Sequence, residues 1–242
     1  MKKIKNVIVI IVMLICLIGI IYSGYHIIKW KKIVNSNAKI KDNINSLVVK
    51  RKNGSYRIDF DKLIKINDDT VAYIKVPGTD INYVVVKSSN NSYYLDHNYE
   101  KQNNLAGWIF ADYRNNFDDK DKNIIIYGHN MKDQSMFGTL RNVLDENWYK
   151  KNYKIELITQ YKTYIYEVFS SYMIKSEEYY LSNSFNFNDE FSEFIKVIKN
   201  RSIYSYKTDI NSSDRILTLS TCNDDGSKRI VVHAKLIKEN NN

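Results

Sequence analysis

Residues 7–28 restrict how this chain can fold more than any other segment. Apart from Ser23, two tyrosines and His26, this 22-residue run is apolar. At a helical rise of about 1.5 Å per residue it spans roughly 33 Å, close to the hydrocarbon thickness of a bilayer. A cleaved signal peptide usually has a shorter apolar core followed by a small-residue cleavage site, and no such site appears here. The sequence therefore predicts an uncleaved transmembrane signal anchor at 7–28, preceded by a cytoplasmic tail at 1–6.

The charges on the two sides of this segment are nearly equal, so they barely favour either orientation in the membrane. Three lysines precede it and three follow it, so the excess of positive charge on the cytoplasmic side is weak. The rest of the chain has no second spanning segment and no cysteine pair. We expect a single-pass protein of the cell membrane whose larger domain is extracellular.

The net charge of the chain is high, but it does not indicate nucleic-acid binding. The formal net charge is +9, from 36 basic and 27 acidic residues. Six of the basic residues flank the membrane segment, so 30 basic and 27 acidic residues remain from residue 33 onward, a net charge of +3. A phosphate-binding surface needs a denser basic patch than this. We therefore expect no nucleic-acid partner.

Residues 29–70 have the spacing of helices. Apolar residues recur at roughly helical intervals over 29–52, and Asp59 precedes a second, shorter helical pattern. This region is predicted to be a helical stalk or a set of helices packed on the domain. The following domain is expected to cover 71–242.

From residue 71 onward the residue pattern is typical of a β protein. Short runs rich in β-branched and aromatic residues alternate with polar turns, which predicts a mainly antiparallel sheet or barrel. Two helices are expected to interrupt it, one capped by Ser135 and the other by Asn188 or Asp189. The predicted strands are 71–76, 81–86, 107–111, 123–127, 154–159, 163–172, 215–221 and 229–237.

Cys222 is the only cysteine outside the apolar segment. It ends a strand-like run, and Arg229 opens the next one after a short polar loop. A lone thiol at a strand end, with an arginine across a short loop, fits a cysteine nucleophile with a charged helper. The alternative is a buried free cysteine acting as a small apolar side chain, which the polar neighbours disfavour.

A cysteine nucleophile usually needs a histidine partner, and the chain has four histidines. His26 lies in the apolar segment and His97 in a polar loop. His129 follows a continuous apolar strand and a predicted glycine turn at Gly128, whereas His233 shares a strand face with Arg229. The spacing favours His129 and leaves His233 as a rival. No metal-ligand spacing or phosphate-binding loop is present, so no metal or cofactor is predicted.

Three short motifs, in order along the chain, carry a family resemblance. They are Tyr127-Gly128-His129, the segment 218–222 that ends in Cys222, and the segment 228–232 that contains Arg229. Together they resemble the motifs of sortases, the membrane-anchored transpeptidases of Gram-positive bacteria. The insertion at about 175–206 and the helical N-terminal extension resemble class B of that family. So do Asn82-Tyr83, 91–95, Phe110-x-Asp112-Tyr113-Arg114-Asn115 and Met136-Phe137.

The resemblance covers about residues 60–237 and implies a closed or nearly closed sortase-type β-barrel with peripheral helices. It implies that Cys222 is the nucleophile, His129 the general acid/base and Arg229 the positive group over the reacting carbonyl. Where some members carry an acidic residue this chain has Asn223, and whether Asp224 or Asp225 replaces it stays open. The positions implied to bind substrate are Asn91, Tyr127, Ser220 and Thr221.

The reaction implied is cleavage of a sorting-signal peptide of secreted surface proteins through a cysteine thioester. The acyl group then passes to an amine of peptidoglycan or of a pilin. A membrane-anchored cysteine protease and a non-catalytic surface-binding domain are the alternatives from other classes. Class A and pilin-polymerising sortases are closer alternatives, disfavoured by the helical insertion after Lys175.

Overall fold

A computed structural model describes residues 2–51, 56–118, 120–222 and 228–242 of this chain. It opens with helix α1, Lys2–Asn45, which contains the whole predicted anchor. Within the described ranges, α1 is the one helix long and apolar enough to cross a membrane. The helix continues without a break into the folded domain, where Ile40 and Ile44 are buried in the main core.

The segment after α1 differs from the prediction. The spacing predicts helix as far as residue 52, whereas strands β1, Val48–Lys50, and β2, Tyr56–Ile58, form a small antiparallel sheet. β-Branched Val48 and Val49 favour this extended pairing, which the helical spacing of their neighbours obscured. Helix α2, Phe60–Ile66, follows as expected, and the Asp59 carboxylate caps it by accepting from the Lys62 amide at 3.1 Å.

Eight strands close into a barrel within the described residues, which confirms the predicted fold class. The strands are β3 Thr70–Lys75, β4 Asn82–Val86, β5 Phe110–Ala111, β6 Asn123–His129, β7 Lys154–Ile158, β8 Lys162–Lys175, β9 Ile216–Cys222 and β10 Lys228–Asn241. Their order around the barrel is β10-β8-β7-β3-β4-β5-β6-β9, and β9 also pairs with β10. The pairs β4–β5 and β6–β9 are parallel and the others are antiparallel.

The barrel has two apolar clusters, one filling its interior and one outside it. The inner cluster draws on every strand from β3 to β10, with Trp108 and Phe137 among its largest buried side chains. The outer cluster packs helix α4, Asn188–Asn200, on β8, β9 and β10. Phe191 and Ile198 of α4 are buried in this cluster. The insertion after β8 is therefore held on the barrel wall by apolar burial.

The helix predicted to start at Ser135 does not form there. A 3₁₀ helix spans Gly138–Leu144, and helix α3 follows at Glu146–Lys151. Met136 has a φ of 52°, in the left-handed region, so no right-handed helix can run through it. The Ser135 hydroxyl instead donates to the Asp133 carboxylate at 2.7 Å. In α4, Asn188 is the first helical residue and not its cap.

Candidate active site

Three neighbouring strands bring the three predicted catalytic positions to one level of the barrel. The backbone of Cys222, the last residue of β9, lies opposite His129 in the parallel strand β6. On its other side it lies opposite Arg229 in the antiparallel strand β10. With strands about 4.8 Å apart, His129 and Arg229 flank Cys222 at roughly 5 Å each, backbone to backbone. Residues 129, 222 and 229 are thus adjacent in space although 93 positions separate the first two.

Part of the site lies outside the described residues. The backbone of Cys222 is described but its side chain is not, and residues 223–227 between β9 and β10 are not described. That gap contains Asn223, Asp224 and Asp225. The question whether Asp224 or Asp225 supplies an acidic group to the site therefore concerns residues outside the described ranges.

His129 is the last residue of β6 and is half-buried. Its Nε2 lies 2.8 Å from the carbonyl oxygen of Leu95. Since a carbonyl only accepts, Nε2 donates this hydrogen bond, which fixes the orientation of the ring. The backbone carbonyl of His129 in turn accepts from the Phe137 amide at 2.9 Å.

Gly128 does not make the turn that the sequence suggested. Strand β6 runs straight through it, with Gly128 paired to Thr221. A Cβ at this position would lie 2.5 Å from Ile109 Cδ1 and 2.7 Å from Phe137 Cγ. Glycine is therefore required by the close packing beside His129, not by a change in chain direction.

The rival histidine is enclosed in the barrel wall. His233 is fully buried, with Nε2 2.9 Å from the Tyr172 hydroxyl and Nδ1 2.8 Å from the Thr218 hydroxyl. Burial, and secondarily the charge of Arg201, lowers the pKa of His233 to about 3. Both ring nitrogens have partners and the ring stays neutral, so His233 has a structural environment and no access to a peptide.

Two of the predicted substrate-binding residues meet at one buried carboxylate. Asp112 has no exposed surface, and its Oδ2 accepts from Asn91 Nδ2 at 2.9 Å and from the Tyr127 hydroxyl at 2.8 Å. Arg114 donates to both carboxylate oxygens of Asp112, from Nε and Nη2, each at 2.8 Å. Burial acts to raise the pKa of Asp112, but hydrogen bonds from Arg114, Tyr127 and Asn91 outweigh it and lower that pKa. Asp112 is therefore an ionised carboxylate with donors on both oxygens.

Ser220 and Thr221 lie on opposite faces of β9. Ser220 is paired with Tyr127 and is buried beneath Tyr180, whose hydroxyl lies 3.0 Å from the Ser220 hydroxyl. Thr221 is equally buried, and strand alternation turns its side chain to the other face. Thr221 could thus reach a peptide bound beside Tyr127 only through its main chain.

Comparison with known proteins decides the family. The family model described as the sortase domain matches residues 74–237. Sortase B of Listeria monocytogenes is 37% identical over 188 residues, which is 76% of each chain. Sortase B of Staphylococcus aureus is 34% identical over 235 residues, covering 94% of this chain and 96% of that one. The crystal structure of sortase B from B. anthracis, 36% identical, superposes with a TM-score of 0.76 and covers 86% of this chain and 99% of that one.

The chain belongs to the class B sortases. It is accordingly a cysteine transpeptidase, and the family's general role is the anchoring of proteins to the cell wall. The match also agrees with the fold, in which an eight-stranded barrel carries a helical insertion after β8.

Sequence reasoning missed several residues that hold this sortase site together. The motif at 110–115 pointed to class B, yet it gave no role to Asp112 or Arg114. Leu95, which accepts from His129, and Tyr180, which covers Ser220, were also not singled out. One local signal was available, because Asp112 directly follows the apolar run 109–111, where an acid has to be paired if it is buried.

Proposed function

We propose that Cys222, His129 and Arg229 perform the transpeptidation, as nucleophile, general acid/base and stabiliser of the reacting carbonyl. The observation that carries this proposal is the register of β6, β9 and β10, in which Cys222 lies between the other two residues. The enclosure of His233 supports the choice of histidine, because that ring is bonded at both nitrogens inside the wall.

The chemistry follows from these positions. The Cys222 thiolate attacks a peptide carbonyl and forms a tetrahedral oxyanion, which the Arg229 guanidinium stabilises together with backbone N–H groups. An arginine suits this task since its planar guanidinium keeps its charge at every working pH. His129 protonates the leaving amine as the C–N bond breaks, and a thioester on Cys222 remains. With Nε2 donating to Leu95, Nδ1 is the nitrogen that we assign to proton transfer.

The peptide is proposed to bind along the same end of β6 and β9. Asn91 and Tyr127 would contact it with side chains anchored at Asp112, Ser220 would line the groove next to Tyr127, and Thr221 would contribute through its main chain. The support is the pairing of Tyr127 with Ser220 two residues before His129 and Cys222. The two pairs are two residues apart along their strands, and this separation matches a few residues of an extended peptide, at about 3.3 Å per residue.

We further propose a single-pass arrangement with residues 1–6 cytoplasmic, residues 7–28 in the membrane and the barrel extracellular. The length and apolar character of α1 support the membrane span, and the orientation rests on the family. Substrates would be sorting-signal peptides of secreted surface proteins, and the acceptor an amine of peptidoglycan or of a pilin. The choice of acceptor class rests on the family.

The test is to incubate the full-length chain in mild detergent with a panel of sorting-signal peptides, with and without candidate amines. Mass spectrometry should show an acyl adduct on the Cys222 peptide of the wild type and none in Cys222→Ala. A transfer product that appears only with added amine supports transpeptidation, whereas hydrolysis unaffected by any amine supports a cysteine protease. An adduct or turnover that persists in folded Cys222→Ala would refute the proposed mechanism.

A further inference from the structure

Asp112 is the centre of a set of hydrogen bonds that joins the proposed peptide groove to the barrel. It lies just after β5 and has no exposed side-chain surface. Its Oδ1 accepts from the Arg114 amide at 3.0 Å and from Arg114 Nε at 2.8 Å. Its Oδ2 accepts from Arg114 Nη2, Asn91 Nδ2 and the Tyr127 hydroxyl, at 2.8, 2.9 and 2.8 Å. Every hydrogen bond between this carboxylate and the described residues is one that the carboxylate accepts.

This fixed direction of hydrogen bonding decides what Tyr127 can offer a ligand. A hydroxyl has one hydrogen, and here that hydrogen is given to Asp112. The Tyr127 oxygen is then left with acceptor capacity only. It suits a donor such as a peptide N–H.

The same carboxylate fixes the amide of Asn91. Asn91 Oδ1 accepts from the Tyr113 backbone amide at 3.0 Å, while Nδ2 donates to Asp112. The amide therefore cannot turn over without losing both bonds, and the second hydrogen on Nδ2 is its remaining donor. That hydrogen suits an acceptor such as a peptide carbonyl.

Arg114 extends the arrangement to the insertion after β8. Its Nη2 also donates to the Leu181 carbonyl at 2.9 Å, next to Tyr180, which covers Ser220. Asp112 and Arg114 together thus tie Asn91, Tyr127 and the 3₁₀ turn Tyr179–Leu181 into one rigid unit.

We propose that Asp112 is a positioning residue that sets the hydrogen-bond polarity of the peptide groove, with Asn91 as donor to a substrate carbonyl and Tyr127 as acceptor from a substrate N–H. This inference rests on the proposed function, in which Asn91 and Tyr127 contact the peptide. It assigns a role to the motif at 110–115 and explains why an ionised carboxylate is buried there. A neutral amide at the same place could donate to Tyr127 and so reverse the polarity of its hydroxyl.

The experiment measures kcat and KM separately for the peptide found cleavable in the panel, with full-length chains in detergent. Asp112→Asn keeps the shape and removes the charge. We expect KM to rise on the order of tenfold, as for the loss of one or two well-placed hydrogen bonds, with kcat changed much less. The rate of Cys222 alkylation by iodoacetamide, followed on the Cys222 peptide, should stay at the wild-type value.

A double-mutant cycle separates positioning from general loss of structure. If Asp112 acts through Asn91, the effect of Asn91→Ala on KM should shrink in the Asp112→Asn background. Effects that simply multiply would overturn the proposal. Glu167→Gln is the matched control, because Glu167 also accepts from a cation, Lys154, and from an asparagine amide, Asn152, but on β8 away from the groove. The KM of Glu167→Gln should equal that of the wild type.

Arg114→Lys carries the test if Asp112→Asn does not fold, since Arg114 is partly exposed and the substitution keeps the charge. The loss of its two-pronged contact with Asp112 should again raise KM, and an unchanged KM would overturn the proposal.

Failure of the proposed function itself gives a different result. In that case the wild type cleaves no peptide, or Asn91→Ala leaves KM unchanged, and both proposals fall. A KM that responds to Asn91→Ala but not to folded Asp112→Asn or Arg114→Lys overturns the role of Asp112 alone.

Discussion

The pH dependence of stability should be governed to a large extent by the enclosed His233. Its pKa is lowered from 6.5 to about 3, first by burial and then by the charge of Arg201. In the unfolded chain the same ring regains an ordinary pKa, so below about pH 6.5 the unfolded state binds a proton that the folded state excludes. The stability that depends on neutral His233 is therefore fully present above about pH 6.5 and is lost progressively as the pH falls toward 3.

The size of the effect follows from these two pKa values. Between pH 7 and pH 4.5 the unfolded state gains the proton over about two pH units, at about 1.36 kcal/mol per unit. After allowing for the partial titration near pH 6.5, the free energy of unfolding should fall by about 2.5 kcal/mol from this residue alone. That is a large part of the 5–15 kcal/mol that typically stabilises a protein domain.

The assay compares wild type with His233→Gln by urea unfolding in mild detergent at both pH values, followed by tryptophan fluorescence. Glutamine does not titrate, and it can both donate and accept toward the hydroxyls of Tyr172 and Thr218. Wild type should lose about 2.5 kcal/mol more than the variant between pH 7 and pH 4.5. Tyr206→Phe is the control, since it removes a part-buried hydroxyl 2.9 Å from Ser171 Oγ and adds no titration in this range. Equal losses in wild type and His233→Gln would refute the reasoning.

Two further predictions concern the proposed catalytic residues. Arg229→Lys keeps the charge but loses the planar guanidinium, so kcat/KM should fall on the order of 100-fold with little change in Tm; a value near wild type would indicate a structural role. His129→Ala should abolish transfer while His233→Gln retains most of it, because His129, unlike His233, lies opposite Cys222 at the end of its strand. Both variants need circular dichroism to confirm folding, and an active His129→Ala beside a folded, inactive His233→Gln would reverse the assignment.

Much of this fold could be read from local sequence patterns. Local patterns of apolar and β-branched residues follow the side-chain periods and conformational preferences of helices and strands. Such patterns are the apolar run at 7–28, the β-branched segments and the apolar face of α4. The predictions failed where a single backbone angle or a pairing overrode the pattern. Met136 prevents a helix from Ser135, and the β1–β2 pairing ends the helical region at Asn45.

The candidate site divides in the same way. The lone cysteine, the histidine at the end of an apolar strand and the arginine after a short loop were visible in the sequence, since residue type and local position suffice to suggest their chemistry. The proposed choice of His129 over His233 rests on the parallel pairing of β6 with β9 and on the burial of His233, which are contacts between distant parts of the chain. The role of Asp112 likewise depends on Asn91 and Tyr127 approaching from two other segments. Sequence determined which side chains carry reactive groups, and tertiary structure decided which of them meet, because strand register and burial are set by non-local packing.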